Sequence, residues 1–237
     1  MIKTKKNLAR TWLMIVAIVA WQTDTQAQFD SLFEKKEGAA KNTAASDKNV
    51  FDKSSEQVAE NVLAARIAFL DAKAKMMEAL GLKSEAVAKA SEALQAKKGV
   101  SNAGEIVDAI KDSNEVSEEA AKQLADSMTH SEELSAESKA KFAEGGGKFI
   151  EGAILKKEQI ETIQKLVQQG QGLVSSAGPF EKVGVLSLVE PVTALSAIVP
   201  GDVKEAVSTL SKMVEFAKSQ KTEIPNAEQA IEKLGAL

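Results

Sequence analysis

Few side chains in this sequence have the type and spacing that chemistry demands. The 237 residues include no cysteine and a single histidine. Thiolate nucleophiles, thiolate metal sites, disulfides and two-histidine zinc sites therefore cannot form. His130 lies in Ser127-Met128-Thr129-His130-Ser131, and no Gly-x-Ser-x-Gly elbow accompanies it. A Ser-His-Asp triad would have to use this residue, but the stretch reads as an exposed turn. The carboxylate groups Glu118-Glu119, Glu132-Glu133 and Glu158/Glu161 have the spacing of solvated helix faces paired with Lys122 or Lys165 at i+4. No Asp-x-Asp-x-Asp-Gly calcium loop is present. These residues predict a protein that is not an enzyme and has no catalytic residues, metal or cofactor.

The one stretch that stands out is aliphatic. Between Lys182 and Asp202 the only formal charge is Glu190, and Val185, Leu188, Val189, Val192, Leu195 and Val199 follow helical spacing. A helix apolar all round is usually buried, so a central core helix is one reading. The sharper reading is a cavity lining, because ligand sites in helical bundles lie between helices and carry few polar groups. The ligand-contacting set is then Phe149, Ile154, Val185, Leu188, Val189, Val192, Leu195, Leu210 and Met213, with Glu190 meeting a hydroxyl or headgroup. Glu190 is equally readable as an exposed carboxylate at a helix start.

The elements that must position these residues are helices. Ser54 or Ser55 can cap a helix through Val58, Val62, Leu63, Ile67, Leu70, Met76, Met77 and Leu80 that Gly81 stops. Ser84 opens an Ala-rich element ending at Gly99, and Ser101 to Ser127 gives a third that Asp112-Ser113-Asn114 is suited to divide. From Ser131 the pattern resumes, meets Gly145-Gly146-Gly147, and continues through Phe149, Ile150, Ile154, Ile163 and Leu166. Three consecutive glycines cost a helix roughly 3 kcal/mol relative to alanine. A break or hinge is expected at 145–147, or else a close crossing by another helix. All four prolines fall in the last quarter, at 179, 191, 200 and 225. Pro191 either kinks a helix or starts one, and two further helices are expected over Asp202 to about Lys218 and Asn226 to Leu234. No convincing strand alternation appears, and no 34- or 40-residue repeat marks a solenoid.

The N-terminus predicts export. Lys3, Lys5, Lys6 and Arg10 precede the apolar run Trp12 to Trp21, and Thr25-Gln26-Ala27 offers small residues for cleavage. An apolar core this short fits a signal peptide rather than a membrane span of ~20 residues. Without cysteine, a bacterial lipoprotein anchor is excluded, and the expected location is the periplasm. Removal of residues 1–27 leaves 26 basic and 33 acidic side chains, a net charge of −7. With no Lys/Arg stripe, nucleic acid is excluded as a partner. Both tryptophans go with the leader and no tyrosine exists, so aromatic cages and Trp/Tyr interface hot spots are disfavoured.

The sequence thus predicts an all-α protein: a cleaved signal peptide over 1–27, a flexible segment over 28–53, and one elongated bundle of six to eight helices over 54–237. In the tether, Phe29, Leu32 and Phe33 have the spacing of a short docking helix, and a frayed terminus is the plainer reading. The leading functional expectation is a periplasmic carrier or shuttle for an apolar small molecule of the lipid or sterol class, with a transporter or envelope protein as partner. Two alternatives remain: an adaptor or chaperone-like helical protein, and a toxin-like protein that inserts the 183–199 region into a membrane. Nothing in the sequence fixes an oligomeric state.

Overall fold

The computed structural model describes residues 43–235, and all regular structure among them is helical. The signal-peptide segment and most of the expected tether lie outside the described residues. Among the described residues seven helices follow in order: α1 (Thr43–Ala79), α2 (Glu85–Gln95), α3 (Ala103–Asp112), α4 (Asn114–His130), α5 (Ala136–Ser176), α6 (Lys182–Ser219) and α7 (Ala227–Gly235). The chain divides into two units, residues 1–47 and 48–237, and the helical core belongs to the second.

Three long helices make that core. α1 runs antiparallel to α5: Phe51 lies near Gly170, the Asn61 amide donates to Gln159 at 3.3 Å, and Met76 sits against Gly145. α6 returns along α5, with Val189 against Gly170 and the rings of Phe142 and Phe216 meeting edge-on at 5.0 Å. The apolar positions predicted from periodicity fill the seam between them, with Val62, Leu70, Leu166, Val192, Leu195 and Leu210 all at 0% exposure. α3 and α4 pack on α6, and α7 packs on α5 and α6.

Several boundaries differ from the sequence expectation, each for a local reason. α1 begins at Thr43 rather than at Ser54. Ser54 and Ser55 are buried inside it, and the Ser55 hydroxyl donates to the Phe51 carbonyl at 2.8 Å, so it is satisfied without capping anything. Phe51, an isolated apolar residue in the sequence, is buried and anchors this early turn.

The glycine triplet neither breaks nor hinges α5, which runs unbroken through it. A Cβ on Gly145 would lie 2.7 Å from Met76, and one on Gly152 would lie 3.1 Å from the Ala65 carbonyl. Glycine here lets two backbones approach, and the burial gained offsets its poor helix propensity. α6 likewise runs through Pro191, one of the two outcomes expected there, and through Pro200, so the helix expected from Asp202 is its second half, while the helix expected over Asn226 to Leu234 is α7. Each proline removes one helical bond, to the carbonyl of Ser187 or Ser196, and these residues are exposed and half-buried respectively. His130 is the last residue of α4 rather than part of a turn, with its Nδ1 2.9 Å from the Asp126 carbonyl.

Other signals behave as their chemistry requires. Gly81 ends α1 at φ +71°, where the Leu82 amide bonds back to the Met77 carbonyl at 2.8 Å. The Asp112-Ser113-Asn114 division is real and separates α3 from α4.

Candidate functional site

The most unusual residues in the core are charged. Arg66, the only arginine after Arg10, is 2% exposed, Lys73 is 2% exposed and Lys156 is fully buried. They are helix-phase core positions: 66 and 73 continue the 59, 62, 69, 70, 76 face of α1, and 156 continues the 149, 152, 153, 163 face of α5. Helix geometry therefore drives these cations inward with their apolar neighbours. Buried charge is tolerable only when paired and hydrogen-bonded, and the partners come from three other places in the fold.

Asp202, two residues after Pro200 interrupts the α6 bonding pattern, takes Lys156 at Oδ2 and Arg66 at Oδ1, the latter at 3.5 Å. Glu205 takes Lys73 at 3.2 Å. The junction of α3 and α4 supplies neutral acceptors: Ser113 Oγ receives Arg66 Nε at 3.0 Å, and Ser117 receives Lys73 through both its carbonyl and its hydroxyl at 2.8 Å. Lys156 also lies over the Phe69 ring, 4.7 Å from its centroid, and that ring is tilted against Phe149. Three cations thus meet two carboxylates. The surplus falls on Lys156, which burial pushes down to about 7 against the pull of Asp202, with Arg66 adding to the fall. Burial lowers Lys73 and Arg66 as well, opposed by Glu205 and Asp202 respectively.

The second unusual region is the hairpin end where α5 turns into α6. Residues 166–201 carry Glu181, Lys182 and Glu190 as their only charges. Phe180 is 100% exposed, Val183 77% and Leu186 52%, and Leu173 and Val174 beside them are half-buried. α6 is long and apolar enough to cross a membrane, yet only 33% of its most apolar 18-residue stretch is buried.

The ten residues expected to contact a ligand fall into three groups by exposure. Phe149, Val185, Val189, Val192, Leu195, Leu210 and Met213 are buried where helices pack on one another, and Ile154 and Leu188 are half-buried. Glu190 points to solvent from within α6 rather than from a helix start. A shallow groove between the end of α6 and the start of α7, lined by Val214, Lys218, Ile224, Pro225 and Glu228, involves none of the ten. Among the described residues no three His, Asp or Glu side chains cluster as metal ligands.

Sequence reasoning singled out the 183–199 stretch but not the ion cluster. The signal was present as charges in core phase: Arg66 between Ala65 and Ile67, and Lys156 a turn after Gly152-Ala153. No known family model, curated protein or solved structure matches this chain.

Proposed function

We propose that this is an exported, non-enzymatic helical protein that engages a lipid bilayer through the α5–α6 hairpin end. The observation that carries the reading is the exposed Phe180, Val183 and Leu186 at the tip of a charge-poor hairpin. Soluble domains scatter single apolar residues, but three large ones exposed within seven positions, flanking only Glu181 and Lys182, support an interaction site. Full burial of a Phe, Val or Leu side chain is worth roughly 1.5–3 kcal/mol each, so the tip alone supplies useful affinity for a hydrocarbon phase.

Lipid is favoured over a protein partner by the chemistry of the tip. Protein interfaces concentrate their energy in Trp, Tyr and Arg, and residues 166–201 contain none of these. Export is supported by the basic, apolar and small-residue sequence of residues 3–27.

A carrier holding a lipid between α6 and its neighbours would require Phe149, Leu195, Leu210 and Met213 to part, since each is packed against protein. The hairpin end needs no such opening. Flotation of the protein with phosphatidylcholine/phosphatidylglycerol vesicles tests the reading, with a Phe180→Ser/Val183→Ser/Leu186→Ser variant beside it. Vesicle association lost in the variant is expected. Equal association of both proteins, or none by the wild type between about pH 4 and pH 8, would sink it. A stoichiometric lipid retained in native mass spectrometry would return the carrier to the front.

A further inference from the structure

The charges of the buried cluster are sorted by helix. Arg66 and Lys73 belong to α1 and Lys156 to α5, whereas Asp202 and Glu205 both belong to α6. The three ion pairs that join α6 to α1 and α5 in the core therefore run through two carboxylates. Glu118 of α4 also acts on Arg66, and the α3–α4 junction otherwise contributes the neutral Ser113 and Ser117. Both carboxylates remain in reach of water, with Asp202 13% exposed and Glu205 37%, while Lys73 and Lys156 are 2% and 0% exposed.

We infer that the cluster is an acid-sensitive latch: protonation of Asp202 and Glu205 removes the counter-charges by which α6 holds Arg66, Lys73 and Lys156, leaves only Glu118 acting on Arg66, and releases α6 from α1 and α5. Proton uptake at two oxygens is the whole chemical change. Lys156 primes the latch, because its site, held at about 7, already carries the surplus positive charge once the pH falls below neutrality. The helix so released is the one with the under-buried apolar stretch. The purpose of the latch rests on the bilayer reading, but its operation does not.

Amide hydrogen exchange of the full chain without lipid, resolved by segment and corrected for intrinsic rates, tests it. On acidification from about pH 7.5 to about pH 4, protection in the α6 core is expected to fall about 100-fold more than in α1. An Asp202→Asn/Glu205→Gln variant should show that loss already at neutral pH. Lys156→Met removes the surplus cation without stranding a carboxylate, and should move the acid loss to lower pH even if the carboxylate variant fails to fold. Loss of protection in α1 and α6 together, undiminished α6 protection in the carboxylate variant, or an unmoved midpoint in Lys156→Met would overturn the latch. Release of α6 in acid with no flotation of the protein on phosphatidylcholine/phosphatidylglycerol vesicles would uphold the latch and remove the bilayer reading.

Discussion

Replacing Lys156 by methionine should flatten the pH dependence of stability rather than wreck the fold. The side chain is fully buried, and its amine is lowered from 10.5 to about 7 in the folded protein. Between those two values the unfolded chain holds a proton that the folded chain does not, so stability rises with pH across the window and levels off below pH 7 and above pH 10.5. At about 1.4 kcal/mol per pH unit, with half of the first unit lost because the group is half-titrated at pH 7, the wild type should gain about 2 kcal/mol from pH 7 to pH 9. Methionine is close to lysine in length and leaves Asp202 facing Arg66 at 3.5 Å. Two cations then face two carboxylates. Urea unfolding of both proteins at pH 6, 7, 8 and 9 gives the difference curve, in which lysines shared by the two cancel. Parallel stability curves, differing by a constant within about 0.5 kcal/mol, would refute the reasoning. So would a uniform loss of the roughly 3–5 kcal/mol typical of a broken buried ion pair.

Within the glycine triplet, Gly147 faces open space and Gly145 faces Met76 and the Ala72 carbonyl. Gly147→Ala should therefore raise stability by about 0.5–1 kcal/mol, while Gly145→Ala should lower it by about 1–3 kcal/mol, both read from thermal or urea unfolding. Lys221 follows the end of α6 at φ +54°, where the Thr222 amide bonds to the Ala217 carbonyl at 2.9 Å. Lys221→Gly should relieve that left-handed backbone and add about 1 kcal/mol. Trp12 and Trp21 are the only tryptophans and there is no tyrosine, so an exported product cleaved after Ala27 should have almost no absorbance at 280 nm. Retained tryptophan absorbance together with an intact mass would show that the leader stays on.

What the sequence made legible was the part set by local rules. Helical periodicity identified the helix class and most of the large aliphatic core positions before Asp202, because apolar phase and burial are the same geometric fact seen twice. Gly81 and the Asp112 to Asn114 division were legible because caps and left-handed turns are decided within a few residues. At Gly145 to Gly147 the close crossing holds and the break does not, and at Pro191 one continuous helix holds and a second start does not. Propensity counts what a residue costs its own helix, and here Met76 and Ala72 from α1 against Gly145, or solvent at Ser187, supply the compensation. The start of α1 was missed for a related reason, since Phe51 is anchored by a helix more than a hundred residues away. The ion cluster was harder still. Lys156 and Asp202 are separated by 46 positions and Lys73 and Glu205 by 132, so only the core phase of the cations was readable, and not the partners.

The placement of that cluster sets how α6 lies against α1 and α5. Asp202 and Glu205 add to the packing that fixes α6 in register: a shift of one turn, about 5.4 Å, would strand three buried cations. They sit just after Pro200, where the under-buried apolar stretch gives way to the well-packed half containing Val203, Ala206, Leu210 and Met213. Replacing the cluster with hydrocarbon could raise stability. The cluster instead ties the register of α6 to Arg66, Lys73 and Lys156 through three ion pairs.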